Sequence, residues 1–179
     1  MNLTEKTLKK GYQYQGKILK MRVDEVELPN GNTATREVVE HPGGVTTAAL
    51  TDNNELLFVR QFRYPYETVL LELPAGKLDP GENQAAKREL QEETGAVGKD
   101  YISLGTFYPS AGFCNEVLHL YFCRVASIGA SHPDEDEFIE PILIPIEKAV
   151  EMVLNNEIPD GKTQVAVLKA AMLINHKKG

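Results

Sequence analysis

The chain has 179 residues, a formal net charge of -7 and 42% hydrophobic residues. That is the size of one domain, or of one domain with a small appendage, with enough apolar content for a real core. The acidic balance disfavours a nucleic-acid-binding surface, which needs lysine and arginine to neutralise phosphates; its simplest role is solubility. Two cysteines, Cys114 and Cys123, fall in no metal-binding spacing and read as buried free thiols, as in a reducing cytoplasm. The opening segment Met1–Lys6 has no apolar h-region, and no stretch approaches about 18 apolar residues, so neither secretion nor a membrane span is expected.

Residues 1–16 are polar with little period. From Lys17 to Leu28 apolar residues tend to alternate, Pro29-Asn30-Gly31-Asn32 marks a tight turn, and Thr35–Glu40 reads as the returning strand of a hairpin that ends at His41-Pro42-Gly43-Gly44. A lone two-stranded hairpin is marginal in water, so this one must pack on the main domain or on a second subunit. Val45–Leu50 reads as a buried strand, Glu55–Gln61 as the next, with Leu57 and Val59 opposite Phe58 and Arg60, and Thr68–Leu73 as another, entering Pro74-Ala75-Gly76. A helix is expected over Gln84–Glu93, with Asn83 as N-cap and Gly95 as the C′ residue; its apolar side, Ala86 and Leu90, is thin. Strands follow at Tyr101–Tyr108 and Glu116–Val125, separated by the loop Pro109–Phe113. Ser127–Glu137 is an acidic loop, Phe138–Ile146 a strand interrupted by Pro141 and Pro145, and Glu147–Asn156 and Thr163–Lys177 are helices. The order of strands and helices predicts a mixed α/β sandwich.

The chemistry concentrates in Gly76-Lys-Leu-Asp-Pro-Gly-Glu82 and Arg88-Glu-Leu-Gln-Glu-Glu-Thr-Gly95-Ala96. Glu89, Glu92 and Glu93 are three and four residues apart and share one helical face. Carboxylates crowded there repel one another unless cations join them, and hard oxygen ligands of this kind suit Mg²⁺ or Mn²⁺ beside substrate phosphates.

This segment resembles the Nudix box, the loop-helix-loop of hydrolases that cleave nucleoside diphosphates linked to another moiety. It departs from the pattern in one place: five residues, Asn83–Lys87, separate Glu82 from Arg88 where the family has seven. The missing pair amounts to about 3 Å of rise and about 200° of rotation. It leaves the relation of Glu89 to Glu93 untouched but alters the path from the Gly76 loop into the helix. Further stretches, Arg36–Gly43, Val59–Arg63, Glu72–Gly76 and Phe107–Phe113, resemble the ADP-ribose pyrophosphatase branch. A proline usually precedes the glycine of that last loop in ADP-ribose enzymes, and here Ala111 stands before Gly112.

The resemblance implies an α/β/α sandwich around a mixed sheet over residues 44–179. It also implies an N-terminal region, residues 1–43, whose antiparallel hairpin is exchanged in a homodimer and helps bind the nucleotide. It implies Mg²⁺, with Mn²⁺ as an alternative, on Glu89, Glu92, Glu93 and the Ala75 carbonyl. Arg88 is expected to orient these carboxylates. Glu82 is expected to hold a metal through water, to brace the loop, or to be an exposed loop residue. Arg63 has the fork that matches a diphosphate, and Arg36 either reaches the substrate from the hairpin or is a surface residue. Gly112 and Phe113 are expected to set specificity. The general base is expected on the acidic loop, Glu137 matching best and Glu135 second. His41 and His119 are bases by chemistry, but His41 reads as a turn residue and His119 as a hydrogen-bonded core residue. The activity implied is metal-dependent hydrolysis of ADP-ribose, or a related ADP-sugar, to AMP and ribose 5-phosphate. The other readings are a Nudix hydrolase of a GDP-sugar or dinucleotide, and a Nudix protein that senses nucleotide without cleaving it.

Overall fold

A computed structural model describes residues 1–78, 82–135 and 137–176. The chain divides into two units, Met1–Gly43 with Tyr108–Val117, and Gly44–Phe107 with Leu118–Gly179.

The first unit is a four-stranded antiparallel sheet of β1 (Lys6–Lys9), β2 (Tyr12–Gln15), β3 (Lys20–Glu27) and β4 (Thr33–Glu40). β3 lies against β1 and β2 along one edge and against β4 along the other. The hairpin β3–β4 turns at Gly31, φ +84°, where Leu28 N–H donates to Asn32 O at 2.8 Å. Arg22 bridges Asp24 at 3.1 Å and Glu40 at 2.7 Å, tying neighbouring strands. The strands β1 and β2 lie in the polar segment of residues 1–16, whose sequence has little period. Their residues are exposed, so no burial alternation marks them, and they are strands because β3 offers its hydrogen-bonding groups.

The second unit is the α/β/α sandwich around a mixed sheet. Its strands are β5 (Gly44–Leu50), β6 (Glu55–Arg63), β7 (Thr68–Glu72), β8 (Ala75–Lys77), β9 (Ala96–Phe107), β10 (Leu118–Ile128) and β11 (Ile139–Pro145). The main order is β11-β6-β5-β10-β9, with β7 on β6 and β8 on β5. The β5–β10 pair is parallel, Gly44 facing Leu118 and Leu50 facing Arg124; the other pairs are antiparallel. The strands β5 and β6 meet only at Leu50 and Leu56, so they splay apart, and β7 and β8 pair in the opening.

Helix α1 (Glu82–Thr94) covers one face, packing Ala85, Ala86 and Leu90 on Val45, Ala49, Leu57 and Tyr121. Helices α2 (Ile146–Leu154) and α3 (Gly161–His176) cover the other, against Ala48, Leu50, Phe58 and Phe122. Both faces are covered, so Leu56 to Val59 are all buried, with Leu57 in the core under α1 and Phe58 in the core under α2 and α3, on opposite faces as expected. β11 runs unbroken through Pro141 because it is an edge strand, where a missing N–H is tolerated. α1 begins at Glu82, two residues before the expected start, and Asn83 is a helical residue rather than the N-cap. Gly95 ends α1 as expected, with φ +71° and its N–H donating to Gln91 O at 2.8 Å. Residues 79–81, the side chain of Glu82, Asp136 and Lys177 lie outside the described residues.

Candidate active site

The Pro74-Ala75-Gly76 turn is fixed from both sides. Pro74 O accepts from Thr46 Oγ1 at 2.9 Å and from Thr47 N–H at 3.0 Å, and Leu73 N–H donates to Thr163 Oγ1 at 2.9 Å. Ala75 N–H then donates to Glu93 Oε2 at 3.0 Å, joining the turn to α1. Gly76 is glycine for a steric reason: a Cβ there would fall on the Glu89 carboxyl group. The box's first glycine thus lets its second helix glutamate lie against the loop.

On α1, Arg88 Nη2 pairs with Glu89 at 2.7 Å and Arg88 Nη1 with Glu92 at 2.5 Å, so Arg88 orients both carboxylates. Burial pushes the Glu89 carboxyl upward; Arg88 opposes this, and Glu92 and Glu137 add to it. Glu93 is only 3% exposed. Burial first, then the charges of Glu89 and Glu137, lift its carboxyl to about 8, against the Ala75 N–H bond and Arg63, which pull it down. Glu137 therefore stands close enough to both Glu89 and Glu93 for their charges to repel. Its loop is anchored to the end of α1, where Gly129 N–H donates to Gly95 O and His132 N–H to Glu92 O, both at 2.8 Å. Glu137 is half-buried, whereas Glu135 is exposed.

Arg63, at the end of β6, grips Glu72 with a two-pronged fork, Nε to Oε1 at 2.6 Å and Nη2 to Oε2 at 2.9 Å. Glu72, buried on β7, also accepts from Lys162, which pairs with Asp160 at 3.0 Å. The two cations hold the Glu72 carboxyl below its usual range despite the cost of burying it. Neither Glu72 nor Lys162 was expected from the sequence. The one available signal was an acidic residue closing an otherwise apolar strand.

The remaining expected residues belong to the first unit. Arg36 is exposed and forked on Glu5, at 2.9 and 2.6 Å. Gly112 has open space where a Cβ would stand, and Phe113 is exposed. His41 Nδ1 accepts from Gly43 N–H at 3.1 Å, as befits a turn residue, with Glu116 at 3.2 Å. In the sandwich, His119 is half-buried on β10 between Val45 and Thr106.

Among the described residues no three carboxylate, imidazole or thiol groups stand ready-made around a single cation position. Arg88 instead takes the charge of Glu89 and Glu92. The donor chemistry fits a hard divalent cation, because Glu89 and Glu93 offer hard carboxylate oxygens side by side, with Glu137 near both and Glu93 buried.

A family model, the NUDIX domain, matches residues 40–165, and the nucleoside diphosphate sugar hydrolase N-terminal domain matches residues 5–39. The chain is 41% identical over 170 residues to the ADP-ribose pyrophosphatase of Bacillus subtilis (strain 168), covering 93% of this chain and 92% of that one. It is also 41% identical over 179 residues to the methanol dehydrogenase activator of Bacillus methanolicus, covering 97% of each. In fold it is similar to the crystal structure of an ADP compounds hydrolase, with TM-score 0.86 and 18% identity over 99% of this chain and 98% of that one. Nudix hydrolases depend on a divalent metal. The chain belongs to the Nudix hydrolase family.

Proposed function

We propose that the protein hydrolyses the diphosphate bond of ADP-ribose, or of a related ADP-sugar, giving AMP and ribose 5-phosphate. The observation that carries this reading is the buried Glu93 joined to Ala75 N–H, with Glu89, Glu92 and Glu137 beside it, in a chain 41% identical to an ADP-ribose pyrophosphatase. Glu89, Glu92, Glu93 and the Ala75 carbonyl hold Mg²⁺, which Mn²⁺ can replace. When bound, the cation neutralises phosphate oxygens and makes water easier to deprotonate. Glu137 accepts the proton of the attacking water. Arg63 holds the diphosphate, and Arg88 aligns Glu89 and Glu92. Arg36, Gly112 and Phe113, carried by the other unit, contact the nucleotide or sugar. The N-terminal hairpin completes this site in a homodimer. The protein works in the cytoplasm, where its two free cysteines, Cys114 and Cys123, remain reduced.

The test is AMP release from ADP-ribose with and without Mg²⁺, beside Glu93→Gln. Metal-dependent release that the variant loses supports the reading; no release at any metal concentration rejects it. A panel containing GDP-sugars and dinucleotides separates the ADP-sugar assignment from its nearest alternatives. Similarity to the methanol dehydrogenase activator over 97% of both chains favours a second reading, activation of a dehydrogenase. An unchanged methanol dehydrogenase rate on adding this protein rejects it.

A further inference from the structure

Glu72 carries two cations at once. Arg63 forks onto it from β6, and Lys162 reaches it from the first turn of α3, ninety residues further along the chain. Behind Lys162 stands Asp160, whose Oδ2 accepts from Lys162 at 3.0 Å and from Thr163 N–H at 3.0 Å. Four charges therefore alternate in a row: Arg63, Glu72, Lys162, Asp160. Their side chains are 36%, 2%, 12% and 18% exposed, so the row opens to solvent chiefly at Arg63. The fork uses Nε and Nη2 of Arg63 and leaves the Nη1 edge outside that pairing. Arg63 also feels the charge of Glu93, so it borders the carboxylate pocket.

A guanidinium facing one buried carboxylate alone forms a nearly neutral pair and offers a substrate phosphate little net charge. With a second cation behind the carboxylate, the triad keeps a net positive charge on its open side. Asp160 also acts on Arg63, more weakly than Glu72 does, and so offsets part of this charge. We propose that Lys162 is a positioning residue for substrate binding: by balancing Glu72 from behind, it fixes the Arg63 fork and leaves its Nη1 edge and part of its positive charge for a diphosphate. This rests on the reading above only in that Arg63 faces the substrate's diphosphate.

The experiment compares Lys162→Met, Lys162→Arg and the Glu72→Gln/Lys162→Met double variant with the parent protein. The readouts are KM and kcat for ADP-ribose, the Kd of inorganic pyrophosphate by calorimetry in chelator, and Tm. In Lys162→Met, KM and the pyrophosphate Kd rise about tenfold, the order seen when a supporting partner is removed, while kcat changes little. Lys162→Arg restores both. The double variant binds pyrophosphate more tightly than Lys162→Met, because the carboxylate that draws on Arg63 is gone. A staple that only holds α3 on the sheet lowers Tm in Lys162→Met and leaves the pyrophosphate Kd where it was; that result overturns the proposal. If the parent protein releases no AMP but Lys162→Met still weakens pyrophosphate binding, the substrate reading falls and the role of Lys162 stands.

Discussion

Replacing Glu93 by glutamine removes one buried charge and keeps the shape of the side chain, including an oxygen that can accept from Ala75 N–H. The Glu93 carboxyl is raised from 4.5 to about 8, chiefly by burial. Between those values the folded, metal-free protein holds a proton that the unfolded chain has released. Stability therefore falls as pH rises through this interval, because the native state binds more protons than the unfolded one. At about 1.4 kcal/mol per pH unit, the span from 4.5 to about 8 sets an upper limit of about 5 kcal/mol on the cost of ionising Glu93 in metal-free protein. Glu89 and Glu137 are part of that cost, so protonation shared among them reduces it. The assay is urea unfolding in chelator at about pH 5 and about pH 9, bracketing the interval. Near pH 5 the two proteins should unfold at similar urea concentrations. Near pH 9 Glu93→Gln should be the more stable by several kcal/mol, and adding Mg²⁺ should stabilise the parent far more than the variant. Equal midpoints near pH 9 in chelator would refute the claim that Glu93 is a buried charge awaiting a cation.

Gly76→Ala places a methyl group on the Glu89 carboxyl group and should lower kcat for ADP-ribose about a hundredfold, with the fold intact by circular dichroism. Gly95→Ala meets both a left-handed backbone, φ +71°, and the carbonyl of Gly129; it should cost about 2 kcal/mol in urea unfolding. Glu137→Gln should lower kcat about a hundredfold or more while Glu135→Gln stays near the parent, a contrast that steady-state kinetics reads directly; equal losses in the two would move the base elsewhere.

The parts of this protein that were legible in the sequence are those written locally. Glu89, Glu92 and Glu93 share a face because of helical periodicity, and Gly95 closes the helix because only a left-handed residue can do so there. Val45–Leu50 read as a buried strand, and every one of its residues is buried. The strands β1 and β2 were illegible because their side chains meet solvent, leaving no pattern to read. The Arg63–Glu72–Lys162 row was illegible for a different reason. Lys162 reaches Glu72 only after the sheet has formed and α3 has folded back over it, so no spacing records the contact. The early start of α1 escaped because asparagine is a strong N-cap residue, which drew the expected boundary to Asn83.

The segment Tyr108–Val117 lies in sequence between β9 and β10 of the sandwich, yet it belongs with the N-terminal strands. Val39 N–H donates to Phe113 O at 2.7 Å, Asn115 N–H to Val39 O at 3.1 Å, and His41 N–H to Asn115 Oδ1 at 2.8 Å. The polypeptide thus crosses the boundary between its units three times, at Gly43/Gly44, Phe107/Tyr108 and Val117/Leu118. A module joined by one crossing can be gained, lost or grafted as a cassette. This one is spliced in: a gene fragment beginning at Gly44 would still encode the Tyr108–Val117 insert, stripped of the strand whose backbone it pairs with. Recombination can shuffle the two units only as a set, and substitutions along β4 and along the inserted segment must answer to each other.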